Sequence, residues 1–319
     1  MSPQVRHHAV QVPATTANLG PGFDAFGLAV DRYLAVRSVD RGDQRERVLS
    51  LSDADVPDGD DNLVWRSLVA FCDEHDQPVP DVALRATTEI PLERGLGSSS
   101  AAIVAGLVLG RALTGAGVGD RDLVRLADRL EGHPDNVAPA LLGGLVACAP
   151  GTDGLVVRRV NPAPALRPVL VVPAARQATT SARAVVPDSL PRDAVVAQAA
   201  RAGHVLAALA GIWPVAVEAS ADLLHEPARA TAMGASSALL DELRGAGIHA
   251  WLSGAGPSVA AAVPAAWSGE LDVVRSIGDE HGFAVVPARF ELSGAVACPD
   301  EGCAIAGSGG CVQCPRRRV

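Results

Sequence analysis

The sequence predicts an α/β protein of two domains, and three observations carry that expectation. Strand-like and helix-like apolar periods alternate along the chain. Its 319 residues suffice for two domains of ordinary size. A segment with four prolines, Pro150 to Pro168, divides a first half from a second that reads as βαββαβ. We place the boundary near residue 160, giving a first domain over 1–160, a second over 161–297 and a Cys-rich tail over 298–319.

In the first half, residues 8–17 read as a strand that enters the loop Asn18-Leu19-Gly20-Pro21-Gly22-Phe23-Asp24. Residues 25–40 read as further strand, and Arg41 to Asp61, rich in Asp, Gly and Arg, as exposed hairpin and loop. Leu63, Leu68 and Phe71 give Asn62 to His75 a helical spacing, while Val82 to Glu89 alternates as a strand. A helix is expected to about Leu113, broken by Gly115 to Gly119. Asp120 reads as the N-cap of a helix through Leu130. An Ala-rich helical turn follows, and Gly143-Gly144 lead into a strand ending near Ala149. In the second half, Pro150 to Pro168 reads as a linker or edge strand and Val169 to Val172 as a buried strand. Helices are expected over 193–210, 214–224 and 235–244. Ile248 to Leu252 and Val259 to Val263 flank the loop Ser253 to Ser258, and a helix over 268–281 and a strand over 283–289 close the unit.

The most informative segment is Pro91-Leu92-Glu93-Arg94-Gly95-Leu96-Gly97-Ser98-Ser99-Ser100-Ala101. Gly95 and Gly97 free the backbone to curl around an anion, and the helix that starts there offers unpaired N–H groups and the positive end of its dipole. Ser98, Ser99 and Ser100 add hydroxyls, one of which could also serve a metal ion. All twenty-seven basic residues are Arg. Lysine chemistry, including a Walker lysine and a Schiff base, is therefore excluded. Phosphate chemistry must rest on Arg, main-chain amides, hydroxyls and a metal held by carboxylates. Glu131, just after a helix, is a candidate Mg²⁺ ligand, because Mg²⁺ takes one or two carboxylates with phosphate oxygens and waters. Its other reading is an exposed helix end. His133, Asp135 and Asn136 offer a polar lining for a substrate pocket. The Gly-rich loops at 18–24 and 253–258 are compatible with plain turns when taken singly.

A net charge of −9 gives no electrostatic ground for nucleic acid or an anionic membrane. The N-terminus carries His7 and His8 with no apolar h-region, and no uninterrupted apolar run of about 18 residues appears, so a cytoplasmic setting is expected. Aromatic residues make up only 3%, leaving Ala, Val and Leu to fill the core. Cys72 and Cys148 sit in apolar surroundings and read as small buried hydrophobes. Cys298, Cys303, Cys311 and Cys314 crowd the tail as two pairs that suit tetrahedral zinc. The loose spacing of the first pair and the scarcity of apolar neighbours favour reduced thiols in an extension.

Four segments together resemble the GHMP kinases, and within them the branch that acts on homoserine: Val12 to Asp24, Gly95 to Ala102, Glu131 to Gly144, and Leu252 to Ser258. The resemblance spans roughly residues 8–297. It implies an α/β (α+β) fold with an N-terminal domain like domain 2 of ribosomal protein S5 and a ferredoxin-like C-terminal domain. It also implies transfer of the γ-phosphoryl group of ATP to the hydroxyl of L-homoserine, with Mg²⁺. Asn18, Asp24, His133, Arg183 and Arg229 match substrate-binding positions, with Arg229 suited to a bidentate carboxylate clamp. Asn136 and Arg183 match positions near the reacting hydroxyl. Asn62 matches an adenine contact, and Pro91, Leu92, Arg94, Gly95, Leu96, Gly97, Ser98, Ser99, Ser100 and Ala101 match the ATP-binding loop. Ser98 or Ser99 with Glu131 matches the Mg²⁺ site. Members are often homodimers. Two other readings remain: a relative acting on another small hydroxylated molecule, against which Asp24 and Arg229 point to a ligand with both ammonium and carboxylate, and a catalytically silent binding protein, against which Ser98, Glu131, Asn136 and Arg183 speak.

Overall fold

The computed structural model describes residues 8–42, 46–50, 59–152, 154–176, 179–266 and 269–299. In the first half the strands are β1 (His8–Ala17), β2 (Phe26–Asp40), β3 (Val48–Ser50), β4 (Val82–Thr88), β5 (Leu145–Gly151) and β6 (Gly154–Val160). The helices are α1 (Leu63–Glu74), α2 (Ser98–Thr114), α3 (Asp120–Glu131) and α4 (Pro134–Leu142). In the second half, β7 (Leu166–Val172) leads to α5 (Thr179–Ala184), α6 (Arg192–Leu209), α7 (His225–Arg229) and α8 (Gly234–Gly245). Then come β8 (His249–Leu252), β9 (Val259–Pro264), α9 (Glu270–Glu280), β10 (Ala284–Pro287) and β11 (Val296–Pro299).

Two sheets organise these elements. The first has the order β11-β1-β2-β4-β3, with β5 joined to β2 and β6 to β5. The 15-residue β2 serves two partners along one edge, pairing β5 at Phe26–Leu28 and β4 at Leu34–Asp40. The β1–β2 ladder shifts register at Pro13/Ala14, where proline cannot donate to it. The second sheet runs β10-β7-β9-β8, antiparallel throughout. Numbered within that unit, the strand order is 4-1-3-2 with helices between strands 1 and 2 and between 3 and 4, the ferredoxin-like arrangement.

Helix α2 is buried on nearly every side by Ala101, Ile103, Val104, Ala105, Leu107, Val108 and Leu109. An all-round apolar helix belongs in a core, and α2 packs on both α1 and β1. Helices α8 and α9 pack together over a second core built on Val169, Val171, Leu239, Leu243, Val259 and Val274. The small residues expected from the composition serve close packing. A Cβ on Gly106 would lie 2.3 Å from the Val64 carbonyl oxygen on α1.

Several boundaries differ from the sequence reading. Gly119, not Asp120, holds the N-cap position of α3, and Asp120 sits in the first turn, paired with Arg111 at 2.7 Å. Pro150 to Pro168 contains β6, an edge strand. The helix expected over 214–224 is absent. The Trp213 indole donates to the His204 carbonyl, His204 Nε2 accepts from the Ala216 amide, and only a 3-10 turn forms at Val217–Ala219. Asp222 then captures the amides of Leu224, His225 and Glu226, which starts α7 instead. Strand β11 pairs with β1, so the chain re-enters the first sheet at residue 296 and Cys298 is buried in a strand. Cys303, Cys311 and Cys314 lie outside the described residues. Among the described residues no helix is long and apolar enough to cross a membrane.

The α1–α2 approach is testable. Gly106→Ala should destabilise the protein by about 1–3 kcal/mol, although Ala is the better helix former by about 1 kcal/mol. Urea denaturation measures the outcome, and a raised midpoint would contradict the close approach.

Candidate active site

The turn at 91–97 is shaped by what surrounds it. Gly95 (φ +70°) and Gly97 (φ +69°) both adopt left-handed backbone. A Cβ on Gly95 would meet the Ser253 carbonyl oxygen at 2.1 Å, and one on Gly97 would meet Thr15 Oγ1 at 2.0 Å. Gly97 caps α2 with no side-chain hydrogen bond, and the first helical bond runs from the Ala101 amide to its carbonyl. The amides of Ser98, Ser99 and Ser100 are thus the orphan donors of a 17-residue helix, an anion-binding geometry.

The other two Gly-rich loops converge on this turn. Trp251 Nε1 lies 2.8 Å from Thr16 Oγ1, Thr16 Oγ1 lies 2.8 Å from Ser253 Oγ, and Ser253 Oγ lies 2.7 Å from the Gly95 carbonyl oxygen. An indole N–H only donates and a carbonyl only accepts, so the protons run in one direction, Trp251 to Thr16 to Ser253 to Gly95. All three side chains are buried. Asn18 Nδ2 donates to the Gly254 carbonyl at 2.9 Å, and its Oδ1 accepts from the Asp24 amide at 3.2 Å. Asn18 therefore shapes the loop with both ends of its side chain.

Around the turn stand four polar groupings. Ser99 and Ser100 both donate to Glu131 Oε1, at 2.6 and 2.8 Å. Thr15 Oγ1 donates to Asn136 Oδ1 at 2.7 Å, which turns the Asn136 amide nitrogen outward and within 3.5 Å of Asp135 Oδ1. His133 Nδ1 lies 2.5 Å from the same Asp135 oxygen. Burial opposes a charge on His133, but the hydrogen bond to Asp135 and the negative charges of Asp135 and Glu131 outweigh it and raise its pKa. Arg183 forms a bidentate pair with Asp24 at 2.7 and 2.8 Å. That pairing, working against burial, also raises the Arg183 pKa.

Arg229 is the unusual member. It is 3% exposed. Its Nε donates to the Ala182 carbonyl, and one terminal nitrogen donates to Gly254 O and to His225 Nδ1, with no carboxylate in reach among the described residues. Burial, then the neighbouring Arg183 charge, lowers its pKa. A buried guanidinium without a carboxylate is a receptor for an anion.

These residues line one cavity together with Phe23, Glu93 and Ala255. A second, more apolar cavity adjoins it through Glu93, Ser98 and Ser99, and is lined by Asn62, Leu63, Val64, Thr87, Thr88, Leu92, Ala102 and Arg176. Asn62 caps α1, its Oδ1 accepting from the Val64 amide at 2.9 Å. The serine turn thus separates a cavity suited to a flat apolar base from one suited to a small zwitterion.

Not every residue named from the sequence faces these cavities. Leu96 and Ala101 are buried in the core, and Pro91 lines neither cavity. Arg94 turns away to the carbonyls of Pro173 and Ala174, at 2.8 and 2.7 Å, bracing the two loops. Ser98 lines both cavities, while the hydroxyls bonded to Glu131 are those of Ser99 and Ser100. Neither Glu93, whose φ is +54°, nor Thr15 stands out as a site residue within its motif, and Arg176 belongs to no motif. Asp135 carried a signal in its place between His133 and Asn136.

The chain is similar to known proteins over most of its length. The family of GHMP kinases N terminal domains matches residues 62–144. The homoserine kinase of Clavibacter michiganensis is 40% identical over 258 residues, 80% of this chain and 82% of that protein. The homoserine kinase of Streptomyces avermitilis is 39% identical over 295 residues, 91% and 95% of the two chains. The crystal structure of homoserine kinase from Cytophaga hutchinsonii superposes with a TM-score of 0.79 at 25% identity, covering 93% of this chain and 99% of that one.

The His133–Asp135 pair has a pH signature. Because the folded-state pKa is raised above 6.5, its stabilisation is fully present below that pH and is lost as pH rises through the raised value. Comparing the unfolding free energy of the wild type with that of His133→Asn should show a difference that shrinks with rising pH above 6.5. A difference independent of pH there would show that the pair does not titrate as described.

Proposed function

The chain belongs to the homoserine kinases, a branch of the GHMP kinase family, and from that premise we propose how its own residues serve the reaction. The enzyme transfers the γ-phosphoryl group of ATP to the side-chain hydroxyl of L-homoserine, giving O-phospho-L-homoserine, a step toward threonine. The observation that carries the reading is the serine turn set between a base-sized cavity and a cavity that ends on Arg229.

The adenine enters beside Asn62 and Leu92, and the triphosphate lies on the amides of Ser98, Ser99 and Ser100. Glu131 with the hydroxyls of Ser99 and Ser100 supplies hard oxygen donors, a set that fits Mg²⁺. When bound, Mg²⁺ neutralises charge on the phosphate oxygens. Arg229 takes the substrate carboxylate. Asp24 exchanges Arg183 for the substrate ammonium, which frees Arg183 for the transferring phosphoryl group.

The hydroxyl oxygen attacks the γ-phosphorus as the bond to the β-phosphate breaks and ADP leaves. Such a transition state is loose and needs positioning and charge stabilisation more than a strong base. Asn136, held by Thr15, orients the hydroxyl, whose proton passes to a phosphoryl oxygen. Asp135 anchors His133 and Asn136. ATP as donor supports a cytoplasmic setting, and a homodimer agrees with the family.

A coupled ADP-release assay over a panel of hydroxy amino acids tests the substrate. Release with homoserine alone is expected, and silence across the panel would overturn the reading. In the same assay Asp135→Asn should keep turnover within about a hundredfold of wild type. A larger loss with substrate binding intact would assign Asp135 the work of a general base, which is worth about 10²–10⁴-fold.

A further inference from the structure

We propose that His225 is a positioning residue that sets the discrimination of this enzyme for acceptors bearing a carboxylate. The inference rests on the reading of Arg229 as the carboxylate clamp. His225 is completely buried. Its Nε2 lies 3.1 Å from the Gly20 carbonyl oxygen and its Nδ1 lies 3.1 Å from Arg229. The carbonyl can only accept and the guanidinium can only donate, so these bonds place a proton on Nε2 and a lone pair on Nδ1. Asp222, 3.7 Å from Nε2, is beyond hydrogen-bond reach. The ring also stacks on Phe23 at 5.1 Å, and Phe23 lies under the guanidinium of Arg229 at 5.6 Å.

This arrangement decides which edge of Arg229 meets the ligand. Nε is held by Ala182, and one terminal nitrogen is held by both Gly254 and His225. The other terminal nitrogen makes no hydrogen bond among the described residues and remains for the cavity. Only the two N–H bonds of that nitrogen are left to donate to a carboxylate, so the rotation of the guanidinium decides where they point. His225 fixes that rotation and, through Gly20, ties it to the loop that carries Asp24. The residue touches no substrate atom; it supports one that does.

The test compares homoserine with 3-aminopropan-1-ol, the same amino alcohol without its carboxylate. The readout is the ratio of their kcat/KM values, measured with ATP in wild type, His225→Gln and His225→Asn. Gln can reach Gly20 but offers no acceptor at the Nδ1 position, whereas Asn places a carbonyl oxygen there. His225→Gln should lower the ratio about ten- to a hundredfold, as expected for loss of a hydrogen bond to a charged group. His225→Asn should keep the ratio near wild type. Equal losses on both acceptors would mean a merely structural role and overturn the proposal, as would a loss in His225→Asn as large as in His225→Gln. Should His225→Gln not fold, His225→Leu fills the same space without an acceptor and gives the same comparison. A wild type that uses 3-aminopropan-1-ol as well as homoserine would instead overturn the clamp reading of Arg229, and the proposal with it.

Discussion

The run of hydrogen bonds from Trp251 through Thr16 and Ser253 to Gly95 holds the site together. It begins in the second sheet, crosses the first strand of the first sheet and ends on the serine turn. Its three side chains are buried, so a missing partner would strand a polar group without water, at a cost of about 1–3 kcal/mol. The two halves of the molecule are therefore fixed relative to each other at the place where their loops must cooperate. At Gly95 and Gly97 the backbone passes too close to Ser253 and Thr15 to leave room for a side chain.

Around this fixed centre the charges are disposed for a zwitterion and a polyanion without a single lysine. Arg229 stands buried without a carboxylate, Asp24 is held by Arg183, and Glu131 is held by two serine hydroxyls. Asp24 and Glu131 each have a protein partner that a ligand group can replace, whereas Arg229 is held only by uncharged partners, Ala182, Gly254 and His225. The guanidinium is well suited to that position, because it stays protonated under burial that would neutralise an amine.

Much of this was legible in the sequence because it is local. The glycines of the three loops and the serine-to-helix transition each reflect a backbone need that acts within a few residues. The second half could be read as βαββαβ from its apolar periods alone. What escaped was set by distant contacts. Nothing in the turn 91–97 says that Arg94 will turn to Pro173 and Ala174 while Glu93 lines both cavities. The apolar spacing of 214–224 suggested a helix that Trp213, His204 and Asp222 interrupt through side-chain bonds to the backbone. Thr15 was hidden inside a strand pattern, and its role depends on Asn136, 121 positions later.

The pairing of β11 with β1 carries a consequence for how the chain is made. Residues 8–11 and 296–299 are neighbours in one ladder, so the first sheet is discontinuous in sequence and the second sheet lies between its parts. As the polypeptide leaves the ribosome, the first sheet waits with β1 exposed along one side until residues 296–299 have emerged. An open strand edge is a template for wrong partners, and a contact between such remote positions closes slowly. The interval between the synthesis of β1 and of β11 is thus when the nascent protein most needs protection from its neighbours.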